Sequence, residues 1–193
     1  MGEAGAVKGM RLLLRIALAC LGAMALALTI VSAWLFFDSQ GLPSTQLLAQ
    51  FAPTKPAWVT DPCLGISSQA IPYERIGNNL RLALGAAEAS EDSPGVVVAT
   101  YRGFTEPHDR VSVSLSMHIA RTAFCGPVKA LDRAASEIRL SIQLERHSSQ
   151  RELFTILANR LFFGGNVRGV ESASQRYFHK EPGQLCPPGQ HHG

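Results

Sequence analysis

The chain has 193 residues, of which 46% are hydrophobic, and it carries a formal net charge of +3 with a sequence pI near 8.8. This length allows one domain of ordinary size together with an anchor, and it leaves no room for a second large domain. No cluster of Lys and Arg with interleaved aromatic residues occurs, so the composition argues against a nucleic-acid partner and leaves anionic lipid or a diphosphate compatible with the mild positive charge.

The N-terminal part of the chain predicts a membrane anchor. Residues 16–37 contain no charged residue and are long enough to cross a bilayer core as a helix, which takes about 20 apolar residues. Lys8, Arg11 and Arg15 precede this run, so the positive-inside rule places residues 1–15 in the cytoplasm and the rest of the chain outside. A cleaved signal peptide is the alternative, because residues 31–33 resemble a small-residue cleavage site.

Two segments rich in proline and small polar residues predict irregular structure. The first, 38–70, is expected to be a linker because its four prolines prevent a long helix. The second, 182–193, is expected to be a disordered tail.

Helical periodicity dominates the region between these two segments. Apolar residues recur at helical spacing over 78–88, 128–147 and 149–162, and again over 170–177 after Gly169. Ser149 and Glu152 have the spacing of a capping box at the start of the third of these runs. Residues 96–101 are rich in β-branched and aromatic side chains, so a short β strand is predicted there. The sequence therefore predicts a mainly α-helical domain.

The C-terminal part of this domain resembles a known family. Asn159 stands before an apolar, aromatic and glycine run, and Gly169-Val170-Glu171, Ala173, Arg176-Tyr177-Phe178 and Lys180 follow in register. The pattern resembles the last motif of glycosyltransferase family 51, the peptidoglycan transglycosylase domain of class A penicillin-binding proteins and their monofunctional relatives. Residues 71–88 resemble the entry of that domain, and Arg133 and Glu137 match its Arg-Lys-x-x-Glu motif. The resemblance covers roughly residues 71–181, and no Ser-x-x-Lys sequence of a penicillin-reactive serine accompanies it.

The resemblance implies a lysozyme-like fold with two lobes and assigns roles to individual residues. Glu88 falls on the catalytic glutamate that acts as general base, and Glu137 on the second carboxylate. Substrate-binding residues are implied at Arg121, Arg133, Asn159 and Glu171, the two arginines facing the diphosphate that leaves the donor. Five of these six residues have a simpler explanation: a solvated carboxylate at Glu88, a surface ion pair between Arg133 and Glu137, and packing at Asn159 and Glu171.

The implied function is polymerisation of lipid II into glycan strands at the bacterial plasma membrane, by a single-pass protein whose C-terminal domain is periplasmic. The implied partners are lipid II, the nascent strand, the membrane and other proteins of cell-wall synthesis. No cofactor is implied, although a divalent cation at the diphosphate is an option. His spacing typical of a zinc site is absent.

The sequence departs from the family at several positions, which keeps other functions open. Ala89 follows Glu88 where the family has aspartate, Met117 and His118 replace a Gln-Gln pair, and Ala134 replaces the lysine of the third motif. A catalytically degenerate protein that binds lipid II or acts as a scaffold is the first alternative. A lytic enzyme that cleaves finished glycan is the second.

Three cysteines are expected on the oxidising side of the membrane. One disulfide among Cys63, Cys125 and Cys186 is predicted, and the three pairings are equally compatible with the sequence.

Overall fold

The structure is a computed structural model, and it describes residues 3–37, 41–63, 65–87, 92, 94–105, 114–125 and 130–185. The chain forms two compact units, Met1–Asp38 and Ser39–Gly193. The described residues are mainly helical, and the second unit also contains a two-stranded sheet. The predicted fold class, a mainly helical protein with one apolar N-terminal helix, is confirmed.

The first unit is a single long helix. Helix α1 spans Glu3–Phe37, and its apolar stretch Leu13–Trp34 covers 22 residues with a mean hydropathy of 2.3 and no buried side chains. At 1.5 Å per residue this stretch is about 33 Å long, close to the thickness of a bilayer core. Length and composition of this kind fit a membrane-spanning helix and a signal sequence alike.

The prediction of a proline-rich linker over 38–70 is wrong for the part of that segment that the structure describes. Helix α2 (Thr45–Ala49) and the strands β1 (Ala57–Thr60) and β2 (Ser67–Ala70) lie within it. Leu48 and Phe51 are each 2% exposed and belong to the hydrophobic core. The prolines interrupt no element because all four stand between elements, at positions 43, 53, 56 and 62.

The two strands form an antiparallel hairpin. Ala57 pairs with Ala70 and Thr60 with Ser67, and the hydroxyl groups of the latter pair lie 2.8 Å apart. Val59 and Ser68 are opposite each other and both are buried, so one face of the hairpin packs on the core.

The remaining described elements are helical. Their bounds are α3 (Asn78–Ala87), α4 (Val96–Thr105), α5 (Leu115–Ala123), α6 (Ala130–His147), α7 (Gln150–Arg160), α8 (Val170–Phe178) and two 3₁₀ turns, Tyr73–Arg75 and Pro182–Gln184.

The predicted β strand at 96–101 is wrong, because these residues form the first part of α4. Val96 and Ala99 are buried and three residues apart, which is helical spacing, while Val97 and Tyr101 are exposed. The backbone N–H of Val96 donates to the carboxylate of Glu145 at 2.7 Å. A carboxylate at a helix N-terminus satisfies a free N–H and interacts favourably with the helix dipole. This tertiary contact outweighs the β propensity of three consecutive valines.

Helix α7 lies at the centre of the second unit. The predicted capping box is confirmed, since the Ser149 hydroxyl accepts from the Glu152 N–H and the Glu152 carboxylate accepts from the Ser149 N–H. Eight consecutive residues, 153–160, are buried, so this helix is enclosed on all sides. It ends at Arg160, before the glycines at 164 and 165.

Gly169 allows α8 to start directly against the end of α7. Its φ is 76°, and a Cβ at this position would lie 2.8 Å from the carbonyl oxygen of Asn159. Only glycine combines this backbone conformation with so close an approach.

The prediction of a disordered tail is wrong for residues 182–185. Pro182 is buried in the second 3₁₀ turn, and the Asn79 side chain donates to the carbonyl oxygen of Leu185 at 3.3 Å. Glu181, just before the turn, forms an ion pair with Arg75 at 3.2 Å. Residues 186–193, including Cys186, lie outside the described residues.

Cys63 and Cys125 form the disulfide. Their sulfur atoms are bonded and their Cα atoms are 5.0 Å apart, across a sequence separation of 62 residues. Cys63 follows β1 and Cys125 follows α5, so the bond ties the hairpin to the end of that helix. Cys20, in α1, is a free and exposed cysteine.

We expect Cys125→Ser to lower the free energy of unfolding by about 4 kcal/mol, because cross-linking a loop of this length restricts the unfolded chain by an amount of that order. Chemical denaturation followed by circular dichroism measures the change. Cys20→Ser is the control and should leave the unfolding midpoint unchanged. An equal midpoint for Cys125→Ser and the oxidised wild type would contradict the assignment.

Candidate functional site

Three of the predicted site residues lie together where α5 packs against α6. The Nε of Arg133 donates to Oε1 of Glu137 at 2.9 Å, and the Nε of Arg121 lies 3.9 Å from Oε2 of the same carboxylate. Arg133 also donates through Nη2 to the carbonyl oxygen of Arg121 at 3.2 Å. One carboxylate therefore holds two guanidinium groups from two different helices.

Burial and charge differ between the members of this cluster. The Glu137 side chain is 15% exposed, whereas those of Arg121 and Arg133 are 56% and 41% exposed. The carboxylate is largely shielded while both cations reach solvent, and the formal charge of the three groups together is +1. Guanidinium groups present planar sets of N–H donors that match the oxygens of phosphates, so this arrangement can bind an oxyanion.

The cluster is one end of a row of polar contacts between α5 and α6. Ser141 donates to the carbonyl oxygen of Glu137 at 2.7 Å and lies 3.7 Å from the sulfur of Met117. Further along α6, Glu145 accepts from Ser114 at 3.0 Å and from Ser116 at 2.5 Å. As the residue numbers rise along α6 from 137 to 145, their partners in and next to α5 fall from 121 to 114. The two helices are therefore antiparallel. We call this row the α5–α6 polar seam.

Glu145 joins three helices, and reasoning from the sequence missed this role. Its Oε1 accepts from both serines at the start of α5 and from Val96 at the start of α4. A sequence signal was present, because polar residues recur at intervals of four along α6, at 133, 137, 141 and 145. That spacing places them along one side of a helix. Gly95 allows the approach, since a Cβ there would lie 3.1 Å from the carboxylate.

The predicted general base, Glu88, lies outside the described residues. Helix α3 ends at Ala87, immediately before it. A groove of about 620 Å³ runs beside this helix, lined by Arg81, Leu82 and Gly85 among others. The Tyr73 ring borders the groove, and the guanidinium groups of Arg81 and Arg151 each lie 4.4 Å from its centroid.

Asn159 has a structural position in place of the substrate contact predicted for it. The side chain is 1% exposed and donates at 2.8 Å to the carbonyl oxygens of both Phe51 and Ile71. Its Oδ1 accepts from the Ile71 N–H at 3.1 Å. Both amide protons are used within the protein, so the side chain has none to donate to a substrate.

Glu171 is also buried and makes its contacts apart from the α5–α6 polar seam. It is 7% exposed in the first turn of α8, and its Oε2 finds no hydrogen-bond partner among the described residues. Burial raises the pKa of this carboxyl, Arg75 opposes the rise, and the charge of Glu181 adds to it. The structure therefore places Glu171 in the packing between α8 and the C-terminal turn.

The described residues contain no cluster of metal-ligating side chains. Among them, no group of three or more His, Cys, Asp or Glu side chains is positioned to hold a metal ion. Glu137 is already paired with two guanidinium groups, and this charge balance does not favour a divalent cation.

Comparison with known proteins found a family model and several relatives that match the sequence of this chain. The model of the transglycosylase family matches residues 66–189. The chain is similar to the biosynthetic peptidoglycan transglycosylase of Dechloromonas aromatica, with 28% identity over 130 residues, 63% of this chain and 56% of that protein. The protein of the same name from Thiobacillus denitrificans is 27% identical over 123 residues, 60% of this chain and 53% of that protein.

A shorter match covers only part of the domain. Penicillin-binding protein 1A of Clostridium botulinum is 36% identical over 67 residues, which are 35% of this chain and 8% of that protein. The chain spans about half the length of the two transglycosylases that it matches.

We expect Glu145→Ala to lower the free energy of unfolding by about 3 kcal/mol, because it leaves the serines at the start of α5 and the first N–H of α4 without their charged acceptor. Urea denaturation followed by circular dichroism measures the change. Glu74→Ala removes a carboxylate whose side chain is 72% exposed and should change the midpoint little. Equal effects of the two substitutions would rule out the joining role of Glu145.

The raised pKa of Glu171 predicts a pH dependence of stability. The folded state binds the proton of this carboxyl more tightly than the unfolded state does. As pH rises from the pKa of the unfolded state to the higher pKa of the folded state, the protein therefore loses stability. We therefore expect Glu171→Gln to remove a loss of stability between mildly acidic and neutral pH. Thermal unfolding of both proteins across this range tests it, and parallel curves would show that Glu171 does not titrate in that range.

Proposed function

Because the chain belongs to the transglycosylase family, whose model covers residues 66–189, we propose that it is a peptidoglycan glycosyltransferase that polymerises lipid II into glycan strands. The observation that carries the proposal is the pairing of Arg121 and Arg133 on the shielded carboxylate of Glu137. The family resemblance implies all three at the leaving-group side of the reaction, and Arg121 reaches the other two from a different helix.

In the proposed reaction, the hydroxyl of the acceptor sugar attacks the anomeric carbon of the donor. A carbon–oxygen bond forms with inversion, the bond from that carbon to the lipid diphosphate breaks, and the hydroxyl proton passes to the general base. Glu88 is proposed as this base, on the family resemblance alone. The guanidinium groups of Arg121 and Arg133 stabilise the negative charge that develops on the departing diphosphate.

Glu137 orients these two cations and keeps them from repelling each other. One oxygen of Glu137 accepts a geometrically specific, charge-assisted hydrogen bond from Arg133, and the other attracts Arg121 by charge at 3.9 Å. The arginine donors engaged neither by Glu137 nor by the carbonyl oxygen of Arg121 are available to phosphate oxygens. We propose that Glu137 acts through this positioning as well as through its charge.

The proposed location is the outer face of a bacterial plasma membrane. Lys8, Arg11 and Arg15 precede the uncharged run 16–37, and under the positive-inside rule this supports an outer position for the second unit. The disulfide between Cys63 and Cys125 supports that side, because such bonds persist in oxidising compartments. The anchored enzyme and its lipid-linked donor would then both lie at the outer face of the membrane.

A non-catalytic protein that binds lipid II, or that holds other cell-wall proteins together, is the second candidate. Met117 favours it, since its thioether lies against Ser141 of α6 and supplies no strong donor at a position where the family has glutamine. This candidate would keep the cationic cluster and lose the polymerisation step.

The first experiment is polymerisation of labelled lipid II by the full chain in detergent. We expect Glu88→Gln to reduce the rate by about 10²-fold or more, since it removes the general base. Glu137→Gln should also reduce the rate, because it releases the two arginines. Glu74→Gln, at an exposed position, is the matched control and should retain full activity.

The outcomes separate the candidates. Unchanged polymerisation by Glu88→Gln would remove that residue from the base role. A folded wild type that binds lipid II and forms no polymer would support the non-catalytic candidate.

A further inference from the structure

A cavity with two arginines in its lining lies at the C-terminal ends of α5 and α7. It has a volume of about 330 Å³ and lies beside the disulfide, and its lining includes Asp61, Thr122, Arg160, Arg168, Ile119 and Leu157. Arg121, Arg133 and Glu137 do not line it. The cavity is therefore a separate place from the α5–α6 polar seam.

Arg160 is buried in this cavity with much of its hydrogen-bonding capacity unused. The residue is 4% exposed, and its Nη2 lies 3.3 Å from Oδ2 of Asp61 and 3.1 Å from the carbonyl oxygen of Thr122. Its Nε and Nη1 are buried and find no hydrogen-bond partner among the described residues. A buried guanidinium normally has its donors paired, because an unpaired buried polar group is costly.

Arg168 adds a second cation of the same kind. Its Nη1 donates to the carbonyl oxygen of Arg160 at 3.3 Å, which leaves its buried Nε without a partner in the described part of the chain. One nitrogen of each arginine thus donates to a carbonyl oxygen at a helix end. Nη2 of Arg160 donates to Thr122 in α5, and Nη1 of Arg168 donates to Arg160 in α7. Both arginines belong to the lining of the cavity, while the unpaired nitrogens themselves are buried.

The charges in the cavity favour an anion with a single charge. Two guanidinium groups face one carboxylate, Asp61, which is 3% exposed, so the formal sum is +1. The carbonyl ends of α5 and α7 contribute partial negative charge, which reduces the attraction for a dianion. Apolar side chains of Ile119, Leu157 and Leu161 form much of the remaining lining and suit an apolar body.

We propose that this cavity binds a small organic carboxylate, which is attracted by the charges of Arg160 and Arg168 in the lining while its apolar part packs between α5 and α7. Carboxylate oxygens match the fork of a guanidinium group. The proposal does not depend on the glycosyltransferase activity, because it concerns equilibrium binding at a separate site.

Isothermal titration calorimetry of the full chain in detergent tests it, with benzoate as the probe. Benzamide has the same shape without the charge, and inorganic phosphate is the oxyanion without an apolar body. We expect saturable binding of benzoate at neutral pH and weaker binding of the other two.

The substitution to compare is Arg168→Gln, because Arg160 is paired with a buried carboxylate and its replacement could unfold the chain. Loss of one charge-assisted hydrogen bond should weaken benzoate binding by roughly tenfold. Arg176→Gln removes the same charge from an exposed position on α8 and should leave the affinity unchanged.

Three results would overturn the proposal. Absence of saturable benzoate binding to folded wild type would mean that the cavity is only hydrated. Equal affinity for benzamide or phosphate would refute a monovalent carboxylate as the ligand class. Equal effects of Arg168→Gln and Arg176→Gln would place any binding elsewhere.

Discussion

The second unit depends on one buried amide. Asn159, near the end of α7, uses both of its N–H groups and its oxygen on the main chain of Phe51 and Ile71. These two residues flank the hairpin, so a single side chain holds both ends of that segment on the central helix. Hydrogen bonds of this kind are strong in a dry core, where water cannot compete for the same groups. Gly169 completes the arrangement by letting α8 begin against the carbonyl of the same asparagine.

The α5–α6 polar seam combines structural and chemical roles along one helix face. At one end Glu145 joins the starts of α4 and α5, and at the other Glu137 holds two arginines near solvent. The first carboxylate meets helix N-termini, where negative charge is favourable, and the second meets two arginines that reach solvent. The contacts of Glu145 thereby hold in place the backbone of α6, which also carries Arg133 and Glu137. Pre-oriented charges of this type are what stabilisation of a departing diphosphate requires.

Two places in the second unit share a charge pattern of two guanidinium groups for one carboxylate. At Glu137 the arginines are partly exposed, and at Asp61 one of them is almost completely buried. Exposure decides what each place can do. Solvent-facing arginines can meet a large, membrane-bound substrate, whereas a cavity of about 330 Å³ admits only a small molecule. The disulfide borders the second place, so the hairpin that carries Asp61 is tied to the end of α5.

Local sequence patterns were enough to predict the apolar N-terminal helix, the helical class, the capping box at Ser149 and the family, because these depend on periodicity and on residues close together in the chain. It also placed Arg133 and Glu137 one turn apart, which any helix would bring together. The tertiary structure was needed to show that 96–101 is helical and that the segment after α1 packs on the core. It was also needed to show which cysteines pair and that Asn159 and Glu171 are buried. Each of these outcomes depends on partners distant in sequence, such as Glu145 for Val96 and Phe51 for Asn159, and local propensity carries no information about such contacts.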